Sequence, residues 1–539
     1  MTSHRRDTPD VLRRIVARRR ERLAGSGAGD GAAQGLVLPP GERLGGAQIR
    51  PFPGPLVCEI KRRSPSRGDI AEGLDPVTQS RRYTEAGAQA VSVLTEQDHF
   101  SGSLADLVAV RHAFPAVAVL RKDFLLTEED LEIAWRAGAD AVLLIAAILE
   151  PAELQRLHRA ATERGLAALV EVHTLAELES IRALAPPLVG INARDLRTFT
   201  VDLLTPLALR ARIDWPATVV FESGVFGADE ARLARSGRFD SLLVGEAVVK
   251  EPRRIPEILA VMAGADGSRN PVAAESTTGT VPFWVHLARR RQSYRQSVGR
   301  GTTGRANTAR PLVKICGITS ADDALRALEL GADLLGLIYA PSPRQAPPGL
   351  AQELRRRIPP EIAVPLVGVV VEPADPGETG TERTELLQRA QSDLAEGHLG
   401  ALQLHGDAPP HLAPTFGWPW YKACRPADPA RAVAAVAENR GPRMLIDAWH
   451  PDLAGGTGLP VSGEVVQAVI DELAARSQTG LWLAGGLAPD NVAAVVRRWN
   501  PELIDASSRL ESAPGRKDPA LLKAFFAALP TESMEEKDG

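Results

Sequence analysis

The chain has little cysteine: Cys58, Cys316 and Cys424 are its three thiols in 539 residues. An odd number, widely spaced, argues against a disulfide framework or a cysteine-based zinc site and suits a reducing cytoplasm. Charge of one sign is also scarce. With a formal net charge of −4, the chain has no overall basic field to hold nucleic acid. No uninterrupted apolar run approaches the roughly 18 residues of a membrane helix. The first residues, Met1 to Asp10, are polar and lack the apolar core of a secretory leader. A cytoplasmic protein is expected, with neither nucleic acid nor membrane as partner. The rest is ordinary globular material, 44% apolar and 24% charged, and its length allows roughly two to four domains with full cores.

The stretch Leu56-Val57-Cys58-Glu59-Ile60-Lys61 reads as a short strand that ends in charge and breaks into Arg62-Arg63-Ser64-Pro65-Ser66-Arg67-Gly68. Side chains alternate along a strand, so Glu59 and Lys61 share one face and Cys58 and Ile60 the other. Two opposite charges in a strand buried on both faces need a reason. In a closed parallel barrel the reason is position, because chemistry sits at the C-terminal rim of the strands. A plain buried ion pair, or a strand end reaching water, is the alternative.

Thr8-Pro9-Asp10 reads as a helix start, with Val11, Leu12, Ile15 and Val16 at helical spacing and the arginines facing out. Apolar runs then follow at Leu56–Ile60, Ala90–Thr95, Val117–Leu120, Ala141–Ile145, Ala167–Val170, Leu188–Ile191, Thr218–Phe221 and Ser241–Val244. Amphipathic stretches such as Asp130–Ala137 and Ala152–Arg164 separate them, which implies βαβ units and a parallel sheet. Eight strands over about 200 residues is the (β/α)8 number. Gly87, Gly138 and Gly331 fall between a helix end and a strand start, where a left-handed residue is favoured. Pro252 to Met262 reads as the eighth helix.

Residues 263–310 have no sustained period and read as a linker. An aromatic-then-basic island, Val281 to Arg291, lies within it and is either docked on a barrel or an anion-binding arm. The rhythm restarts at Leu312–Ile315, Leu334–Ile338, Val364–Val371, Ala401–Leu404, Trp420–Ala423, Met444–Ile446, Leu481–Leu483 and Leu503–Ile504. Asp518-Pro519 announces a last helix. The expected architecture is α/β, two tandem (β/α)8 TIM barrels: 1–262 with an N-terminal helical extension, a linker at 263–310, 311–530, and a polar tail at 531–539.

Several motifs carry a family resemblance. The first half contains Glu59-Ile60-Lys61 with Ser64-Pro65-Ser66, Arg121-Lys122-Asp123-Phe124, Leu169-Val170-Glu171-Val172, Gly190-Ile191-Asn192-Ala193-Arg194-Asp195-Leu196, Glu222-Ser223-Gly224 and Val244-Gly245-Glu246. It resembles indole-3-glycerol-phosphate synthase. The second half contains Lys314-Ile315-Cys316-Gly317, Ser342-Pro343-Arg344, Gln403-Leu404-His405-Gly406, Leu445-Ile446-Asp447, Gly455-Gly456-Thr457-Gly458, Gly485-Gly486-Leu487 and Asp505-Ala506-Ser507-Ser508. It resembles phosphoribosylanthranilate isomerase, and the whole is similar to the fused enzyme of tryptophan biosynthesis.

The resemblance implies an indole ring closure in the first barrel. There Lys122 is the acid, Glu171 the base of the later dehydration, and Glu59 and Lys61 their supports. Ser64, Asn192, Arg194, Glu222 and Ser223 would contact the substrate, with phosphate on Gly224 and Gly245. For the second barrel it implies an Amadori rearrangement, with Cys316 as thiolate base and Asp447 as acid. Arg344 would grip the anthranilate carboxylate, and Gly486, Ser507 and Ser508 the phosphate. His405 is either a substrate contact or a structural histidine. Glu246 and Arg509 depart from the family's usual residues. The partners implied are small phosphosugar-anthranilate substrates. Neither reaction requires a cofactor, no metal-ligand cluster or nucleotide fingerprint stands out, and a monomer is expected. Rival readings are tandem barrels for other phosphosugars, or a non-catalytic metabolite-sensing scaffold.

Overall fold

The computed structural model describes residues 10–26, 41–46, 48–64, 68–71, 73–196, 198–265, 281–297, 310–359, 361–371, 381–406, 418–439, 441–448 and 460–530. The chain divides into two compact units, Met1–Asp266 and Gly267–Gly539. Among the described residues no helix is long and apolar enough to cross a membrane.

The first unit is a closed barrel of eight parallel strands. They are β1 (Leu56–Ile60), β2 (Ala90–Leu94), β3 (Ala118–Lys122), β4 (Ala141–Ile145), β5 (Ala167–Val172), β6 (Leu188–Asn192), β7 (Thr218–Glu222) and β8 (Ser241–Val244). Neighbours in sequence are neighbours in space, and β1 closes the ring by pairing with both β2 and β8. Such strands are covered on both faces, so they need near-continuous apolar runs. Where the apolar run stops, the hydrogen-bonded ladder continues. β3, β6 and β7 extend to Lys122, Asn192 and Glu222, and β5 carries Glu171 within its last turn of pairing. The polar ends belong to the strands and define the rim.

Helix α1 (Asp10–Ser26) precedes the barrel; Thr8 and Pro9 lie outside the described residues. Leu12, Ile15 and Val16 are buried. Arg19 does not face out as expected: it is 7% exposed and its Nη2 donates to Asp130 Oδ1 at 2.7 Å. Asp130 belongs to helix α2 (Glu128–Arg136), where its other oxygen accepts from Leu126 N, Thr127 N and Thr127 Oγ1 in a capping box. A buried carboxylate with a spare lone pair attracts a cation, and one arginine of the helix turns inward. The eighth helix is not continuous. Residues 252–254 form a 3-10 turn ahead of Ile255–Ala263, and a short helix, Glu246–Lys250, comes before both.

The second unit is again a closed eight-stranded parallel barrel. Its strands are β9 (Leu312–Cys316), β10 (Leu334–Tyr339), β11 (Leu366–Val371), β12 (Ala401–His405), β13 (Trp420–Cys424), β14 (Met444–Ile446), β15 (Trp482–Ala484) and β16 (Leu503–Ala506). The final helix, α4 (Pro519–Ala528), is capped by Asp518. Before β9 comes α3 (Phe283–Ser297), in the stretch expected to be patternless. Phe283, Trp284 and Leu287 are buried. Phe283 stacks on Tyr421 with a 6.1 Å centroid separation, and Trp284 meets Trp482 at 6.0 Å. Arg290 pairs with Asp333 at 2.7 Å and Arg291 with Glu502 at 2.9 Å. These partners start, or immediately precede, β10, β13, β15 and β16, so α3 covers the N-terminal end of this barrel. The island has helical spacing over two turns only, and the polar residues around it hide the period.

Candidate active sites

In the first unit one cavity opens at the C-terminal rim. Glu59, Lys61, Lys122, Glu171, Asn192, Arg194, Glu222, Ser223, Gly224 and Gly245 all line it, as does Glu246. The side chain of Ser64 and residues 65–67 lie outside the described residues. Sequence reasoning missed the apolar wall made by Leu12 and Ile15 of α1 with Phe100, Leu143 and Ile145. The signal was available in part, since an amphipathic helix ahead of a complete barrel has no neighbouring helix to complete.

The polar half is a chain of charges. Lys61 Nζ donates to Glu59 Oε1 at 2.5 Å. Lys122 Nζ donates to Glu222 Oε2 at 2.6 Å and to Glu171 Oε2 at 3.4 Å. Glu222 was expected only to touch substrate; it also holds the lysine. Burial alone would lower the Lys122 pKa, but the carboxylates of Glu222, Glu171 and Glu59 outweigh it and hold the ammonium protonated. The two glutamates split. Burial raises both, yet Lys122 and His173 bring Glu171 well below the usual carboxylate range. Glu222, facing the Glu171 charge, is pushed up to about 8. Two carboxyls driven apart in this way mark an acid–base site. His173, two residues beyond Glu171 on the same face, is pushed to about 10 by its glutamate neighbours against the pull of burial.

Glycines make the space. A Cβ on Gly190 would sit 2.0 Å from Glu222 Oε1, and one on Gly245 would sit 2.7 Å from Glu59 Oε1. Ser223 and Gly224 both have positive φ, 67° and 79°, and successive residues of this kind form concavities where backbone N–H groups can meet an anion. Below the rim, Arg121 Nη2 donates to Asp123 at 3.0 Å and Nη1 to the Asp130 carbonyl at 3.0 Å. The Lys122 strand and the α1 clamp thus share one buried network. Glu96, Asp98 and His99 place ligand-type atoms within 4.8 Å of one another. Glu96 accepts from the N–H groups of Asp98, His99 and Phe100, and Asp98 pairs with Arg18 and Arg22 of α1. This cluster is accounted for as a loop tie.

The second rim gathers Cys316, Asp447, Arg344, Ser507, Ser508 and Gly486 at the ends of β9, β14, β10, β16 and β15. Gly455–Gly458 lies outside the described residues. Cys316 ends β9 and is 7% exposed. Burial raises its thiol pKa and the Lys314 charge opposes the rise. Asp447 is pushed up to about 6 by burial, although Ala448 N donates to its Oδ1 at 2.8 Å. Arg344 was expected to be free for a two-pronged grip, but its Nε donates to both oxygens of Glu511, at 3.1 and 2.9 Å. That carboxylate fixes the plane of the guanidinium. Ser507 Oγ donates to the Cys316 carbonyl at 3.1 Å. His405 is buried, held near neutral imidazole with its pKa at about 3 by burial, and Nε2 lies 2.6 Å from the Gln403 amide. Arg509 is half-exposed, 3.5 Å from Asp490. Sequence reasoning missed Glu511 and Asp505, which reach the site only through the closed ring.

Family comparison gives two matches. The model described as indole-3-glycerol phosphate synthase matches residues 48–258, and that described as N-(5'phosphoribosyl)anthranilate (PRA) isomerase matches residues 313–528. An indole-3-glycerol phosphate synthase of Nocardioides sp. is 49% identical over 202 residues, which is 36% of this chain and 75% of the relative. A multifunctional tryptophan biosynthesis protein of Schizosaccharomyces pombe is 30% identical over 495 residues. That alignment takes in 88% of this chain and spans 59% of the relative's length. A solved phosphoribosyl anthranilate isomerase from Thermus thermophilus is 32% identical, covering 40% of this chain and 97% of its own, with a TM-score of 0.33.

Proposed function

The chain belongs to the indole-3-glycerol phosphate synthase family through its first barrel and to the phosphoribosylanthranilate isomerase family through its second, and on that premise we propose how the two rims divide the work. The protein is a bifunctional enzyme of tryptophan biosynthesis. Its second barrel converts N-(5-phosphoribosyl)anthranilate to the carboxyphenylamino-deoxyribulose phosphate. The first closes that product to indole-3-glycerol phosphate with loss of CO2 and water.

In the first site the aryl carbon attacks the ketone, and negative charge grows on the carbonyl oxygen. Lys122, kept protonated by three carboxylates, donates its proton there. Glu171 stays ionised beside the ammonium and takes a proton in the dehydration. The aromatic ring rests on the wall of Leu12, Ile15, Phe100, Leu143 and Ile145, and phosphate on the backbone at Gly224 and Gly245. In the second site Asp447, with its pKa raised to about 6, protonates the ring oxygen as the furanose opens, and Cys316 removes the C2 proton. Arg344 receives the anthranilate carboxylate, and Gly486, Ser507 and Ser508 the phosphate.

The observation that carries this reading is the placement of the Lys122 ammonium at the rim cavity, 2.6 Å from Glu222 and 3.4 Å from Glu171, which sets the acid beside the base. Complementation of tryptophan auxotrophs tests it. The wild-type chain should rescue strains lacking either activity, Lys122→Met only the isomerase-deficient strain, and Cys316→Ala only the synthase-deficient one. Rescue of both strains by either variant would overturn the assignment.

A further inference from the structure

Lys314 is fully buried in the second barrel, an expensive place for an ammonium unless it is closely paired. It lies two residues before Cys316 on β9, so both side chains point into the barrel. Opposite them on β10 is Gly336. A Cβ there would come within 2.6 Å of Cys316 Sγ and 3.0 Å of both Lys314 Cε and Nζ. Thiol and ammonium therefore converge on the space over one glycine. The ammonium cannot swing away, because Nζ donates to Asp505 Oδ2 at 2.5 Å and to Gln403 Oε1 at 2.9 Å. Tyr421 OH donates to the same Gln403 oxygen at 2.8 Å, which fixes that acceptor in turn.

Cys316 is in the surroundings that most disfavour a thiolate, a dry pocket with little access to water. A base there needs a fixed positive charge within reach. We propose that Lys314 is a positioning residue of the isomerase site: its ammonium, held by Asp505 and Gln403, aims the Cys316 sulfur and stabilises the thiolate. The proposal rests on Cys316 being the base of the reaction. Lys314 keeps its own proton throughout, since Asp505 holds it charged against the pull of burial. The other groups acting on the thiol are Asp505, which opposes the effect, Lys517, which assists it, and Tyr421 on β13. Glu511 and Arg344 act on Lys517; Lys314 also acts on Asp447 and His405, on both of which Arg425 acts too, with Lys422 acting on His405.

The test is the pH dependence of iodoacetamide alkylation at Cys316 in the full chain, read by peptide mass spectrometry with Cys424 as internal reference. Lys314→Met and Lys314→Gln should each move the alkylation midpoint up by about one pH unit or more, slowing the reaction near neutral pH about tenfold. Lys314→Arg, which keeps the charge, should stay near wild type, and Cys424 should not change. Lys314→Gln retains hydrogen bonding to Asp505, so it decides the matter if Lys314→Met does not melt cooperatively. A wild-type midpoint in a folded neutral variant would overturn the proposal. Collapse of both neutral variants while Lys314→Arg folds would also overturn it, leaving Lys314 as a structural counter-ion. An isomerase that survives Cys316→Ala would instead sink the base assignment, whatever the alkylation midpoints do.

Discussion

On the proposed mechanism, replacing Lys122 with methionine should remove the acid and weaken the ionisation of the base. The first loss is the acid, and a well-placed general acid is worth roughly 10²–10⁴ in rate. The second is indirect. Lys122 Nζ lies 2.6 Å from Glu222 and 3.4 Å from Glu171, and its charge is the largest influence holding Glu171 ionised against burial. Opposite charges about 4 Å apart at an effective dielectric near 20 interact by about 4 kcal/mol, equivalent to about 3 pH units. Without the ammonium, Glu171 keeps His173 at 3.2 Å as its cation, and its pKa climbs back to about the ordinary carboxylate range. The expected loss in synthase kcat at neutral pH is therefore that of the acid, about 10²–10⁴-fold. The sign of the pH dependence follows. A base whose pKa has risen is protonated at low pH, so the residual activity of Lys122→Met should gain an acid limb in the ordinary carboxylate range, about pH 4, and be flat near neutral pH. Adding Glu171→Gln should remove that limb together with the remaining base catalysis. The assay is steady-state ring closure, with isomerase turnover in the same preparation as the folding control. A synthase kcat within tenfold of wild type would refute Lys122 as the acid, and a pH-independent residual rate would refute the coupling to Glu171.

In the second barrel, thiolate rises with pH while protonated Asp447 falls above about 6. Their product is flat between the two pKa values, so isomerase kcat/KM should plateau, with an acid limb near pH 6 that Asp447→Asn abolishes along with the activity; a limb unchanged in that variant would count against it. Arg19→Met leaves Asp130 buried and short of its cation, which should cost about 3 kcal/mol. With Leu12 and Ile15 of α1 in the cavity wall, synthase KM should rise too, and unchanged urea midpoint and KM would refute the clamp. A second-unit fragment starting at Thr308 should be poorly soluble, since Tyr421 and Trp482 lose Phe283 and Trp284. One starting at Val281 should fold, and equal behaviour of the two would mean α3 carries no part of that core.

Strand count and rim position could be read along the chain because both are local: a β-branched run ends, a polar residue follows, and a glycine marks the next strand. The polar partners could not be read the same way. Glu222 meets Lys122 across 100 residues of sequence, Asp505 meets Lys314 across 191, and Glu511 meets Arg344 across 167. Only closure of each ring brings them together, and alternation along one strand says nothing about which strand faces it. Arg19 shows the same limit on a helix, where one arginine among several turned inward to a carboxylate far away in sequence. Docking on a barrel is one of the two sequence readings of the α3 island, and it is docked; its helix could not be read, since its apolar face spans only two turns and is bounded by polar sequence.

The two reactions ask opposite things of a carboxyl group, and the barrels answer with the same material. Ring closure needs an ionised base. Glu171 is buried, but Lys122 and His173 stand beside it and bring it down. Ring opening needs a carboxylic acid. Asp447 is also buried, yet the largest opposing influence is a single backbone N–H, with Arg425 and Lys314 acting more weakly, so burial prevails and its pKa rises to about 6. Burial is common to both groups and cannot account for the difference. What separates them is the cations beside them: Lys122 and His173 act on Glu171, whereas Arg425 and Lys314 act only weakly on Asp447. At Lys122 the ammonium sits among three carboxylates and serves, in the proposed mechanism, as the acid, while Lys314 pairs with one carboxylate and, in the proposal above, directs its field at a thiol.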